Sequence, residues 1–108
     1  MKELIFSYDW NKKLGNKAFT TIRIKQEKKY IIGEDYKIIL QPKNKIPDVK
    51  GIASIVDIKY FKLDKLNNFI SYIDTGYSIS ECTQIIKRMY TGTNFTNTDL
   101  SLILLKYK

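Results

Sequence analysis

Apolar residues recur at every second position, or fill short runs, in five segments of the chain, and this pattern predicts five β-strands. The predicted strands cover residues 2–7, 19–24, 36–40, 49–61 and 100–107. The last strand is apolar on both faces, so we expect other elements to cover it on both sides. Gly33 suits a tight turn or bulge, and Gly51 suits a bulge that curves the long fourth strand.

The predicted second strand carries the most distinctive polar side chains. Alternation places Ile22 and Ile24 on a core face, and Thr21 and Arg23 together on the opposite face. The latter two side chains are about 7 Å apart along the strand, at about 3.4 Å per residue. Lys17 comes just before the strand. Together these groups predict a binding site, and a solvated strand face is the alternative interpretation.

Two stretches with helical periodicity lie between the fourth and fifth strands. The first predicts a helix over residues 64–74, with Asp64 as a candidate N-cap and Gly76 as its stop. Its predicted buried face consists of Leu66, Phe69, Ile70 and Ile73. The second helix is expected to begin at Ser78, where the spacing to Glu81 matches a capping box, and to end at Gly92.

This element order predicts one α+β domain over residues 1–108. We expect a small mixed, partly closed β-barrel of about five strands, with two helices before the last strand. No apolar run approaches the roughly 20 residues of a membrane span, and the N-terminus lacks a signal-peptide pattern. These features predict a soluble, cytoplasmic protein that does not act at a membrane.

Composition restricts the chemistry. With one cysteine and no histidine, an internal disulfide, a zinc site of the usual Cys/His kind and a histidine-based proton relay are excluded. We expect no metal and no cofactor. Cys82 falls on the apolar stripe of the second predicted helix and is interpreted as a core residue.

The formal net charge of +8 is concentrated in the first half of the chain, because residues 1–50 carry +6 and residues 51–108 carry +2. A basic surface favours polyanions through counterion release, so nucleic acid or nucleotides are the expected partners. The alternative is that the many lysines reflect overall composition, since only two of the nineteen basic residues are arginine.

Several segments in order resemble one known family. They are the strand Phe19-Thr20-Thr21-Ile22-Arg23, the hydrophobic–Gly–acidic step within 30–36, the strand 53–58, the Leu63-Asp64-Lys65-Leu66 helix start, the helix end Met89-Tyr90 and the strand 100–105. This arrangement resembles the ASCH domains of the PUA-like superfamily, small barrels associated with RNA. The resemblance implies a PUA-like barrel of the small single-domain bacterial or phage type.

Within that family, a small bacterial member is an amidohydrolase that acts on acetylcytidine through a lysine, a threonine and a glutamate. By resemblance, Thr21 matches the threonine. The lysine position corresponds to Ala18, with Lys17 one residue earlier, and the glutamate position falls near Thr75, beside Asp74. The resemblance therefore implies Lys17, Thr21 and Asp74 as candidate catalytic residues.

Three functions remain as hypotheses. The first is binding of RNA or a modified nucleoside in a basic cleft built on the second strand, with ligand contacts from Trp10, Lys17, Phe19, Thr21 and Arg23. The second is amide hydrolysis of an acetylated nucleoside. The third is a protein-interaction module with an acidic protein partner. Binding is favoured over catalysis, because binding tolerates the displaced lysine and carboxylate.

Overall fold

Five strands form one mixed sheet that curls into a half-barrel, in the order β1-β3-β4-β5-β2. In this computed structural model, which describes all residues from 1 to 108, the strands are β1 (Lys2–Phe6), β2 (Ala18–Ile24), β3 (Asp35–Leu40), β4 (Asp48–Phe61) and β5 (Leu100–Tyr107). β1 and β3 are parallel, and all other neighbours are antiparallel. The prediction of a small α+β fold with about five strands is confirmed.

The two edge strands, β1 and β2, approach each other through side chains. The Arg23 Nη2 atom on β2 donates to the Ile5 carbonyl oxygen on β1 at 3.0 Å. The rings of Phe6 and Phe19 meet edge to face with centroids 6.0 Å apart. The gap between the two strands is therefore lined by the rings of Phe6 and Phe19 and is spanned by the Arg23 side chain.

Two α-helices, α1 (Asn68–Thr75) and α2 (Ile79–Met89), precede β5, as predicted. Short 3-10 helices cover Trp10–Gly15 and Leu63–Lys65. None of the helices is both long and apolar enough to cross a membrane.

The start and the buried face of α1 differ from the prediction. The helix begins at Asn68, because the preceding residue Asn67 is the N-cap and accepts a hydrogen bond from the Ile70 N–H at 2.9 Å. Asp64 instead lies in the 3-10 turn. The buried residues of α1 are Ser71, Asp74 and Thr75, whereas Phe69 and Ile73 are 80% and 57% exposed. α1 thus turns a polar side inward, toward the candidate site described below.

The predicted signals at the helix ends are otherwise confirmed. Gly76 ends α1 with a left-handed φ of 79°. Ser78 caps α2, because its hydroxyl oxygen accepts from the Glu81 N–H at 3.3 Å. α2 ends at Met89, earlier than the predicted Gly92, which lies in the turn that follows.

The predicted bulge at Gly51 is also confirmed. The register between β3 and β4 shifts between Ile38 and Ile39, opposite Gly51. The φ of Gly51 is 147°, and an added Cβ would lie 3.3 Å from the Tyr107 ring. Glycine therefore provides both the backbone conformation and the space that this bend requires.

Two apolar clusters lie on opposite faces of the sheet. The cluster inside the half-barrel contains Leu4, Phe6, Leu14, Phe19, Tyr30, Tyr36, Ile38, Ala53, Ile55, Ile103 and Leu105. The cluster beneath the helices contains Ile22, Leu63, Leu66, Cys82, Ile86 and Leu100. β5 contributes to both clusters, and Cys82 is a core residue, as predicted.

β2 also contributes to both clusters. Ile22 packs beneath the helices, as expected, but Phe19 and Thr21 on the opposite face are also buried. The alternative interpretation of that face as solvated is therefore wrong. Its side chains instead face the inside of the half-barrel, which positions Thr21 and Arg23 beside a cavity.

Candidate functional site

A cavity of about 160 Å³ lies between the edge strands, the first 3-10 helix and the two α-helices. One part of its wall is polar and consists of Lys13, Thr21, Arg23, Asp74 and Thr75. The rest of the lining is Ile5, Phe6, Ser7, Tyr8, Trp10, Ile22, Ile85, Ile86 and Met89. The exposed side chains of Tyr8 and Met89 mark its mouth.

An unusual backbone path in the first 3-10 helix points Lys13 inward. Asn11 and Lys12 both have left-handed conformations, with φ of 58° and 52°. The next turn is held by Leu14, which is buried in the barrel core and donates its N–H to the Asp9 Oδ1 atom at 3.0 Å. As a result Lys13 is only 3% exposed.

The same 3-10 helix holds the end of α1. The Asn11 side-chain amide donates to the carbonyl oxygens of Tyr72 and Ile73, each at 3.3 Å. The Tyr72 carbonyl also accepts from the Gly76 N–H, whereas Ile73 has one of the carbonyl groups that a helix end leaves without a backbone partner. Because Tyr72 and Ile73 immediately precede Asp74, the contact with Asn11 also fixes the position of the Asp74 side chain opposite Lys13.

Lys13 and Asp74 form an almost completely enclosed ion pair. The Lys13 Nζ atom lies 2.9 Å from the Asp74 Oδ1 atom. The Thr20 hydroxyl donates to the same oxygen, also at 2.9 Å. The Asp74 Oδ2 atom makes no hydrogen bond within the protein, so one acceptor of the carboxylate remains free.

Burial lowers the pKa of Lys13 below its ordinary value. Removal from water disfavours the ammonium form, and the nearby Arg23 charge acts in the same direction. The Asp74 carboxylate opposes this shift through its charge and hydrogen bond but does not cancel it. The cavity therefore contains an amine that is easier to deprotonate than an exposed lysine.

Thr21 and Arg23 form a second polar group. The Arg23 Nε–H donates to the Thr21 hydroxyl oxygen at 3.0 Å, while the guanidinium carbon lies 4.7 Å from the centre of the Phe6 ring. These contacts hold the guanidinium in place. They leave the Thr21 hydroxyl hydrogen and the Arg23 Nη1 atom without a hydrogen-bond partner in the protein. Both are available as donors to a ligand.

A row of aromatic rings leads from the cavity, which Tyr8 and Trp10 line, to Tyr77 outside it. The centroids of Tyr8 and Trp10 are 4.4 Å apart, and those of Trp10 and Tyr77 are 5.9 Å apart. Trp10 also lines an adjacent open groove of about 460 Å³, which runs along α2. The only tryptophan of the chain therefore lies between the cavity and this groove.

The structure brings four of the sequence-predicted site residues together around the cavity: Trp10, Thr21, Arg23 and Asp74. Lys17 is exposed and lies outside the lining, and its carbonyl oxygen accepts from the Tyr107 N–H. Phe19 is buried in the barrel core, between the rings of Phe6 and Tyr107.

The lysine that lines the cavity, Lys13, was missed by sequence reasoning. It lies in a turn-rich segment without periodicity, and its burial depends on left-handed backbone at two non-glycine residues. The one available signal is Leu14, an isolated apolar residue in a polar stretch. An anchoring leucine of this kind indicates that its segment packs against the core.

The cavity combines donors and acceptors with an apolar wall. The groups that remain free on its polar wall include donors on Thr21 and Arg23 and an acceptor on Asp74. No group of three or more His, Cys, Asp or Glu side chains is arranged to hold a metal ion. No protein-family model, curated protein or solved structure matches this chain.

Proposed function

We propose that this protein is an ASCH/PUA-like domain that binds RNA or a modified nucleoside, with one base held in the cavity. The observation that carries the proposal is the two-sided lining. The polar wall offers donors and an acceptor to a base edge, and Phe6, Trp10 and Ile22 offer apolar contact to a base face. RNA-binding proteins recognise unpaired bases through this combination of edge and face contacts.

The size of the cavity supports a single ring as its occupant. Its volume of about 160 Å³ is below the roughly 300–1,000 Å³ that is usual for drug-sized ligands. A base enters, while its sugar and any flanking nucleotides remain at the mouth. The net charge of +8 favours a ligand that carries phosphates.

Thr21→Val tests the site with little change in side-chain volume. We expect binding to weaken about tenfold, since a hydrogen bond contributes about 1 kcal/mol or somewhat more. Binding is measured through the fluorescence of Trp10, with cytidine, acetylcytidine, uridine, adenosine, guanosine and a short RNA as ligands. Lys17→Gln is the matched control, because it removes a nearby exposed charge outside the cavity. Failure of every ligand to bind the wild type contradicts the proposal.

A second candidate is amide hydrolysis of an acetylated nucleoside in the same cavity. The observation that favours it is the buried Lys13 amine of lowered pKa, which lines the cavity together with Thr21. In its neutral form, Lys13 accepts a proton from the Thr21 hydroxyl or from a water molecule as that oxygen attacks the acetyl carbonyl. The protonated Lys13 then gives this proton to the cytidine amino group as the acetyl C–N bond breaks. Where Thr21 is the nucleophile, water hydrolyses the resulting acetyl ester and releases acetate. The free Arg23 N–H stabilises the developing oxyanion.

Incubation with acetylcytidine tests this candidate by the release of acetate and cytidine. We expect turnover to be lost in Lys13→Met and in Thr21→Val and to be retained in Lys17→Met. Circular dichroism of each variant separates loss of chemistry from loss of folding. Absence of turnover by the wild type, together with measurable nucleoside binding, rejects hydrolysis of acetylcytidine and leaves the binding function.

A further inference from the structure

The open groove beside the cavity has its own set of polar and aromatic side chains. It is lined by Trp10, Tyr77, Glu81, Gln84, Ile85 and Arg88, and we call it the α2 groove. Trp10 and Ile85 also line the cavity. The two depressions therefore share a wall, and a ligand that fills the cavity has the α2 groove directly beside it.

Most polar side chains of the α2 groove have no hydrogen-bond or ion-pair partner in the protein. Arg88 and Gln84 are exposed, one helical turn apart on α2, and neither side chain makes a hydrogen bond or an ion pair. The Glu81 carboxylate, by contrast, is engaged by the Ser78 hydroxyl at 3.1 Å. The groove thus presents a cation and an amide without partners, beside a carboxylate that has one oxygen without a partner.

Aromatic surface borders these polar groups. Tyr77 is 41% exposed, and its ring plane lies at 77° to that of Trp10. The two rings form adjacent walls of a corner. Bases of single-stranded nucleic acids stack on exposed aromatic rings of this kind without regard to sequence.

We infer that the α2 groove holds the nucleotide next to the base in the cavity, which makes single-stranded RNA, rather than a free nucleoside, the ligand. This inference rests on the proposed function. The base of this second nucleotide stacks on the Tyr77 ring with one edge against Trp10, and the phosphate between the two nucleotides pairs with Arg88. An acidic protein would use the cation but not the aromatic corner, so RNA fits more of the groove.

Two groove variants with matched controls test the inference. Fluorescence anisotropy measures the binding of a fluorescein-labelled, random-sequence RNA hexamer. Tyr77→Leu removes a stacking ring, and Tyr72→Leu removes an exposed tyrosine on α1 as its control. Arg88→Gln and Lys87→Gln remove the same charge from neighbouring positions of α2, but only Arg88 lines the groove.

We expect Tyr77→Leu to weaken RNA binding about 5- to 150-fold, the range for the loss of one stacked base. Arg88→Gln is expected to weaken binding and to flatten the slope of log K against log salt by about 0.7, the value for one phosphate contact. Neither control should change the affinity. Binding of mononucleosides, followed through Trp10 fluorescence, should be unchanged in both groove variants.

The outcomes separate this inference from the proposed function. Unchanged RNA affinity in both groove variants overturns the inference, while a persisting effect of Thr21→Val on nucleoside binding preserves the proposed function. No binding of any nucleoside or RNA by the wild type overturns both. Binding of an oligoglutamate peptide that is lost in Arg88→Gln, in the absence of RNA binding, assigns the groove to an acidic protein and also overturns the inference.

Discussion

At the scale of single residues, the enclosed ion pair between Lys13 and Asp74 is not readily explained by a contribution to stability. Taking two charges out of water costs several kcal/mol each, and an apolar pair of similar volume is often as stable or more so. The pair has only the Thr20 hydroxyl as an additional partner. Buried ionisable groups of this kind cluster at functional sites, which is consistent with the proposed role of the cavity.

Removal of one partner of this pair is expected to be costly. Lys13→Met leaves the Asp74 carboxylate enclosed without a counter-ion, and we expect a loss of about 3–5 kcal/mol in the free energy of unfolding. Urea denaturation measures this loss. The double variant Lys13→Met/Asp74→Leu removes both charges and should recover most of it. If the single and double variants are equally destabilised, the loss comes from packing rather than from the unpaired charge.

The residues of the cavity also show how far the sequence alone could predict the site. Thr21 and Arg23 could be predicted, because strand alternation places them on one face whatever surrounds the strand. Asp74 was predicted as a site residue only through the family resemblance. Lys13 could not be predicted, since its inward direction depends on the left-handed conformations of Asn11 and Lys12, and lysine rarely adopts such a conformation.

At the scale of elements, the strands were predicted more accurately than the helices. Each strand has at least two buried residues at alternate positions, so its period-two pattern reflects packing. α1 is different, because Phe69 and Ile73 satisfy helical periodicity but are exposed. The position of this helix is instead set by polar contacts, from Asn11 to its last carbonyl groups and from Lys13 and Thr20 to Asp74. A hydrophobic pattern contains no information about such contacts.

Local sequence patterns also do not determine the order of the strands in the sheet. β1 pairs with β3, and β2 lies at the opposite edge beside β5. This order brings β1 and β2 together as the two edges of a curled sheet, and their gap forms one side of the cavity. The order of strands depends on pairing between segments that are far apart in the sequence. The hydrophobic pattern therefore predicts the number of strands but not which two become the edges of the sheet.

At the scale of the whole molecule, we expect its charge to make the protein sensitive to acid. At neutral pH the net charge is +8, the difference between nineteen basic and eleven acidic residues. Protonation of the carboxylates leaves the basic residues unbalanced, so repulsion within the compact state increases. Lysine-paired carboxylates at the surface, such as Asp35 with Lys108 and Asp99 with Lys62, limit that repulsion in the folded protein.

The pKa values of Asp35 and Asp99 indicate where stability is lost. Hydrogen bonds from Lys108 and Ser54 lower the pKa of Asp35 below 3.8, and a hydrogen bond from Lys62 lowers that of Asp99. A carboxyl group whose pKa is lower in the folded than in the unfolded state stabilises the protein above the unfolded value. That contribution is lost as the pH falls through the folded value.

We therefore expect the urea midpoint to fall below about pH 4, the unfolded pKa of an aspartate. In Asp35→Asn and Asp99→Asn this decrease should be smaller, because one group that releases its proton on folding has been removed from each. Asp64→Asn is the control, since this exposed carboxylate makes no ion pair. If the urea midpoint decreases equally in the wild type and the three variants, acid sensitivity comes from the overall charge rather than from these two ion pairs.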